Sequence, residues 1–205
     1  MPGMTKGRAV KILGKRTAYR GHFRVDVYRL RHRLYSGGWS GTMTREVFER
    51  GRTVGIILYD PKRDALVLVE QFRLAAHLSG LSSWELEIVA GIVDKRGESA
   101  ASVAVREARE EAGMRVIGRP VRAFTVLTTP GGSSETFAVF CGRVDSRGAG
   151  GIHGLAHEHE DIKVVVKSFA QAMALVSRGK IQSGPSLMAL YWFAANRARL
   201  RRRWR

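Results

Sequence analysis

The residues that restrict this chain most are Gly91–Met114, GIVDKRGESAASVAVREAREEAGM. From Glu98 onward they read as a helix: Ser99 is placed to cap it, Ala, Val, Glu and Arg fill it, and Gly113 is placed to stop it. Glu107 and Glu111 are four residues apart and so leave one face, with Glu110 beside them. Three carboxylates that close repel one another unless a cation lies between them. A hard divalent ion such as Mg²⁺ takes oxygen ligands and keeps several waters, which suits cleavage of a phosphate. Taken alone, REAREE is also the pattern of a solvated acidic face held by pairs such as Arg106–Glu110. Upstream, Trp84–Gly91 reads as a strand running into this segment, so the unit is strand, loop, helix.

The rest of the chain supplies more strands than helices. Residues 1–50 hold short alternating runs, Ala9–Leu13 and Phe23–His32, with turn signals at Gly37, Gly38 and Gly41. They predict a small antiparallel β unit with too few apolar residues for a core of its own. Thr53–Tyr59 and Ala65–Arg73 predict two strands, the second apolar enough to be central. After the helix come strands over Val121–Leu127, Thr136–Cys141 and Ile162–Val166. The loop Thr128–Glu135, TTPGGSSE, separates the first two, and residues 143–161 read as irregular. Helices are predicted over Ser168–Arg178 and Pro185–Arg199. A mixed sheet flanked by helices, α/β/α, follows from this order. The expected divisions are a β unit over 1–50, a main domain over 51–196 and a basic tail over 197–205.

Net charge is +17, with 44% of the 205 residues hydrophobic. It is uneven: +9 over 1–50, +2 over 51–196 and +6 over 197–205. Basic ends attract polyanions such as nucleic acid, but a solubilising surface is the preferred reading of this charge. No window has the ~18 consecutive apolar residues of a membrane span, and residues 1–10 have no apolar leader core. The lone Cys141 sits in the apolar run TFAVFCG, as a buried strand thiol does, and fits a reducing compartment. The expected location is cytoplasmic.

Glu98, seven intervening residues, then Arg106-Glu107-Ala108-Arg109-Glu110-Glu111-Ala112-Gly113-Met114 resembles the Nudix box, G-x5-E-x7-R-E-U-x-E-E-x-G-U, where U is apolar. One departure is visible. Six residues rather than five separate Gly91 from Glu98, so the loop before the helix is expected to bulge while the helix keeps its register. Further stretches are similar to the bacterial ADP-ribose pyrophosphatases of that superfamily: Tyr19–Gly21, Arg45–Gly51, Val69–Arg73, Glu87–Gly91, Pro130–Glu135, Gly151–Ala156 and Glu158–Asp161. The resemblance implies a Nudix-type α/β/α sandwich that hydrolyses ADP-ribose to AMP and ribose 5-phosphate with Mg²⁺, or Mn²⁺ in its place.

The same resemblance implies residue roles. The carbonyl of Ala90, with Glu107, Glu111 and Glu160, would hold the metal. Glu158 would take the proton of the attacking water, and Glu110 is the second candidate catalytic carboxylate. Arg73, Ile92 and Glu135, with Thr129, Pro130 and Gly131, would line the pocket. His22, Phe23, Arg45, Glu46 and Arg50 match positions that touch the nucleotide, the first two reaching from the other subunit of a homodimer. Each has a plainer alternative. Arg73 could be a strand-edge charge and TTPGGSSE an ordinary turn. His153, His157 and His159 fit no standard zinc spacing and are read as solvent-exposed. Rival functions are hydrolysis of another nucleoside diphosphate-sugar such as GDP-mannose, and a non-catalytic domain that senses ADP-ribose or binds nucleic acid.

Overall fold

The computed structural model describes residues 9–95 and 97–204. Residues 1–8, on which the leader argument rests, Arg96 and Arg205 lie outside them. The chain divides into two units. One holds the residues up to Gly51 together with Thr129–Glu135, and the other holds the remainder.

In the first unit, β1 (Val10–Arg20), β2 (Arg24–His32) and β3 (Met43–Glu49) form an antiparallel sheet in that order. The short runs expected at the N-terminus are thus one long hairpin and a third strand. Little is buried. Val27 is, and so is Asp26, which Thr17, Lys15 and Arg24 hold at 2.8–3.0 Å. The loop Thr129–Glu135 joins this unit rather than the second. Phe48 N–H donates to Gly132 O (2.8 Å) and Ser134 N–H to Phe48 O (3.1 Å), extending the edge of β3.

The second unit is built on β4 (Arg52–Asp60) and β5 (Ala65–Phe72), apolar on both faces because both are covered. Asp60 makes the turn between them by accepting from the N–H groups of Lys62 and Arg63. A short helix α1 (Leu74–Leu78), absent from the sequence reading, follows. The single strand expected over Trp84–Gly91 is two: β6 (Trp84–Glu87) pairs with β5, and β7 (Val89–Ile92) pairs with β4. The switch falls at Ile88, whose N–H donates to Ser186 Oγ at 3.2 Å. Helix α2 is Ala100–Glu110. After it come β8 (Ile117–Leu127), β9 (Thr136–Arg143), the two-residue β10 (Ile152–His153) and β11 (Ile162–Ser168). The segment expected to be irregular therefore contains β10 and a 3₁₀ turn at Ala156–Glu158.

The sheet runs β10-β11-β5-β4-β9-β8, and β4–β9 is its parallel pair. One face buries Val54, Ile56, Leu58, Val67 and Val69 against Val103, Ala104 and Ala108 of α2. The other buries Ile57, Tyr59, Leu66 and Leu68 against α3 (Phe169–Ser177) and α4 (Gly184–Trp204). This is the expected α/β/α sandwich. Each fully buried Leu or Ile contributes about 1.5–3 kcal/mol. Ser168 caps α3 through a box with Gln171.

The end of α4 corrects the sequence reading. Residues 197–204 are helix, not tail, because Leu200 and Trp204 are buried in the second core. Arg197 pairs with Asp64, which also accepts from Tyr59 Oη (2.8 Å) and lies 3.6 Å from Arg201.

Candidate active site

The register of α2 decides the site. Ser99 Oγ accepts from Ser102 N–H (3.1 Å) at its start. At its end, Gly113 (φ 61°) lets Met114 N–H reach Ala108 O (2.8 Å), a glycine-ended helix stop. Between them Val103, Glu107 and Glu111 follow one another at intervals of four. Glu107 and Glu111 therefore continue the stripe that faces the sheet, and the solvated-face alternative fails for them. Glu111 is only 4% exposed, and the Glu107 side chain is 12% exposed.

The sheet supplies the other wall. Ala90 N–H donates to Glu111 Oε2 at 3.2 Å. A Cβ on Gly91 would stand 2.3 Å from the Glu107 carboxyl, so only glycine leaves room for that carboxylate. Burial pushes the carboxyl of Glu111 up to about 8, against the hydrogen bond from Ala90, with the charges of Glu107 and Glu160 adding to the rise. Burial likewise pushes Glu107 up to about 7; Arg106 opposes it, and Glu110, Glu160 and Glu158 reinforce it.

Arg106 was not among the expected site residues, yet it organises three carboxylates. Its guanidinium lies 3.0 Å from Glu107, 2.8 Å from Glu110 and 4.0 Å from Glu98. In the loop before the helix, Glu98 N–H donates to Lys95 O (3.3 Å) and Gly97 adopts φ 87°.

The late loop is tied to the end of α2. Gly154 N–H donates to Glu110 O (3.3 Å), and His153 packs where a Gly113 side chain would stand. Glu160 is partly buried and accepts from Leu155 N–H at 3.0 Å. Glu158 ends the 3₁₀ turn, is followed by the left-handed His159, and stays 57% exposed. On the sheet, Arg73 pairs with Glu87 (2.8 Å), a partner the sequence reading did not assign. The signal was present in Glu85-Leu86-Glu87, where period two puts the two acids on one strand face. Ile92 closes β7 opposite Thr53.

The remaining expected residues lie in the first unit. Arg50 pairs with Glu135 (2.9 Å) and its guanidinium lies 5.0 Å from the Phe23 ring centre. Phe23 packs edge-on against His22 and Phe48. Arg45 Nη1 donates to Thr44 O, and Glu46 is exposed opposite Val27. Thr129 O accepts from the N–H groups of Gly132 and Ser133, leaving Pro130 and Gly131 exposed. Glu49, not expected, accepts from Tyr28 Oη (2.7 Å) and Ser134 Oγ (2.6 Å), which holds its carboxyl below the usual range.

Among the described residues, no three acid, histidine or cysteine side chains close into a ready cage. The donor set nevertheless fits a hard cation. Glu111 is buried and Glu107 partly so, both offer carboxylate oxygens whose charge burial disfavours, and the missing side chain at Gly91 leaves the room that the Glu107 carboxyl occupies.

A model of the NUDIX domain matches residues 49–187. An ADP-ribose pyrophosphatase of Escherichia coli (strain K12) is 45% identical over 195 residues, covering 95% of this chain and 92% of the relative. A GDP-mannose pyrophosphatase of Escherichia coli (strain SMS-3-5 / SECEC) is 36% identical over 149 residues, covering 71% of this chain and 75% of the relative. A solved structure described as an ADP compounds hydrolase superposes with a TM-score of 0.72 at 21% identity, over 94% of this chain and 96% of that one, and agrees in fold. With the box residues in register on α2 and both chain-length and domain-level matches in agreement, the chain belongs to the NUDIX family.

Proposed function

We propose that this protein hydrolyses the diphosphate bond of ADP-ribose to AMP and ribose 5-phosphate, with Mg²⁺ as the working ion. The observation that carries the reading is the pair Glu107 and Glu111, one helical turn apart: Glu111 is buried and accepts from Ala90 N–H, Glu107 lies partly buried beside Gly91, and their carboxyls are pushed up to about 8 and about 7 respectively. The likeness in sequence to ADP-ribose pyrophosphatases over nearly the whole chain supplies the substrate. Glu107, Glu111, Glu160 and the Ala90 carbonyl would hold a divalent ion, which when bound would supply charge neutralisation at phosphate oxygens and a more acidic water.

The chain's own groups do the rest. Glu158, exposed at the end of its turn while Glu160 is anchored beside it, accepts the proton of the attacking water. Glu110 is committed to Arg106 and positions it, leaving proton transfer to Glu158. The guanidinium of Arg73 uses Nε on Glu87 and keeps its outer nitrogens for phosphate. In this reading Ile92, Glu135 and the Thr129-Pro130-Gly131 backbone line the substrate, and Arg45, Glu46 and Arg50 contact the nucleotide. His22 and Phe23 come from the second subunit of a homodimer, and the enzyme works in the cytoplasm.

A substrate panel with Mg²⁺, scored by products, tests this. ADP-ribose should give the highest kcat/KM, with AMP and ribose 5-phosphate as products. A preference for GDP-mannose would overturn the substrate, as its pyrophosphatase relative makes worth checking. No turnover of any nucleotide-sugar with Mg²⁺ or Mn²⁺ would overturn the activity.

A further inference from the structure

The arginines that end α4 divide by face. Arg197 and Arg201, one turn apart, point inward: both reach Asp64, and Arg201 Nε donates to Pro61 O at 3.3 Å. Arg197 also lies over the Phe169 ring at 4.2 Å. These two dock the helix end on the β4–β5 turn. Arg199, Arg202 and Arg203 point outward and are exposed, and among the described residues none pairs with a carboxylate. The turn on which the helix end docks carries exposed Lys62 and Arg63, the latter 3.9 Å from Asp60.

The acids there are already used. Asp60 is buried and accepts from Ser146 N–H and Oγ and from the N–H groups of Lys62 and Arg63. Asp64 is shared by Tyr59, Arg197 and Arg201, and Asp145 is taken by Arg147. A helix C-terminus carries about half a negative charge, and Arg201, Arg202 and Arg203 all lie in the last turn of α4. Arg199 with Arg202 and Arg203, at spacings of three and four on one helix face, repel one another. Arg199 donates to Asn196 Oδ1 at 3.0 Å, and among the described residues none of the outer three is spent on an ion pair.

We propose that this corner, formed by Arg199, Arg202 and Arg203 with Lys62 and Arg63, binds the phosphate backbone of nucleic acid without reading its sequence. Guanidinium forks grip phosphate oxygens in pairs, and clustered cations gain from counterion release on a polyanion. A membrane surface fits less well. An interfacial helix needs a free apolar face, and that of α4 (Leu190, Phe193, Leu200 and Trp204) is buried in the core. The buried Trp204 also fixes the helix end, so the arginines stand on a rigid element. This site is independent of the hydrolase reading.

The test measures anisotropy of a short fluorescein-labelled single-stranded DNA of mixed sequence against salt, using the full chain. The wild type should bind, with log K falling linearly in log salt. The Arg199→Gln/Arg202→Gln/Arg203→Gln variant should lose at least about tenfold in affinity and about two to three in salt slope, with ADP-ribose turnover unchanged. Lys62→Gln/Arg63→Gln should give a smaller loss of the same kind, which keeps the test open if the triple variant folds badly. No salt-dependent binding by the wild type, or wild-type binding by both variants, overturns the proposal. So does tighter binding to phosphatidylserine vesicles than to DNA.

Discussion

Burial separates Glu107 and Glu111 from the other acids of their helix, and burial makes them testable. Their carboxyls are raised from 4.5 to about 7 and about 8 in the folded protein, by desolvation above all. A raised carboxyl means the folded state binds protons more tightly than the unfolded one. Its contribution to stability is full below about pH 4.5 and is lost as pH rises through 7 to 8. The chelated protein should accordingly melt at lower temperature as pH climbs through that window, and Mg²⁺ should restore more stability at the alkaline end. A calorimetric Tm that holds level across the window in chelator would contradict the burial argument. Glu111→Gln keeps volume and still accepts from Ala90 N–H, but carries no charge. It should flatten the pH dependence in chelator, lose the Mg²⁺ stabilisation and drop kcat by several orders of magnitude; near-wild-type turnover at saturating Mg²⁺ would remove Glu111 from the metal site. Gly91→Ala should also cost most activity, since its Cβ meets Glu107 at 2.3 Å.

Elements differ in how much of them the sequence reveals. Helix α2 is legible because cap, interior and stop fall within one stretch, and its period puts Glu107 and Glu111 on one face. Which way that face points is not local: it follows from small Ala104 and Ala108 against the sheet and glycine at 91. The break between β6 and β7 was missed because its partner, Ser186, lies 98 residues on. The end of α4 was missed for the opposite reason. An arginine run with no acids reads as solvated, and nothing nearby announces that Leu200 and Trp204 have a core to enter. Trp204→Ala should therefore cost about 3–5 kcal/mol in urea unfolding; a loss under about 0.5 kcal/mol would restore the tail. At the loop before α2, deleting Lys95 should leave Mg²⁺ affinity and most activity intact. The expected bulge would take up the extra residue, and a surface loop shortened by one residue changes little chain entropy. Lost metal binding in a folded deletion variant would make that loop part of the site.

At the scale of the whole molecule, the first unit is a three-stranded sheet with almost no interior, and β1 leaves Val10, Ile12, Leu13 and Tyr19 exposed along an edge that no described strand pairs. Free apolar edges invite pairing with another chain. The second unit exposes its own apolar group at Phe72, Leu74, Leu78, Leu81 and Trp84, around α1. Exposed apolar residues grouped on one element are what a second copy of the chain could cover. Sedimentation at micromolar concentration should show a homodimer, and Ile12→Lys with Leu13→Lys should shift it toward monomer. If His22 and Phe23 serve the partner's site, two crippled chains can repair each other. Phe23→Ala should lose kcat/KM on its own, and Glu111→Gln should be nearly inactive. In a mixed dimer, however, the site with an intact Glu111 receives an intact Phe23. Co-refolding the two variants should recover activity toward about a quarter of wild-type sites, the share expected from random pairing. Activity no higher than the average of the two variants would mean that each chain completes its own site.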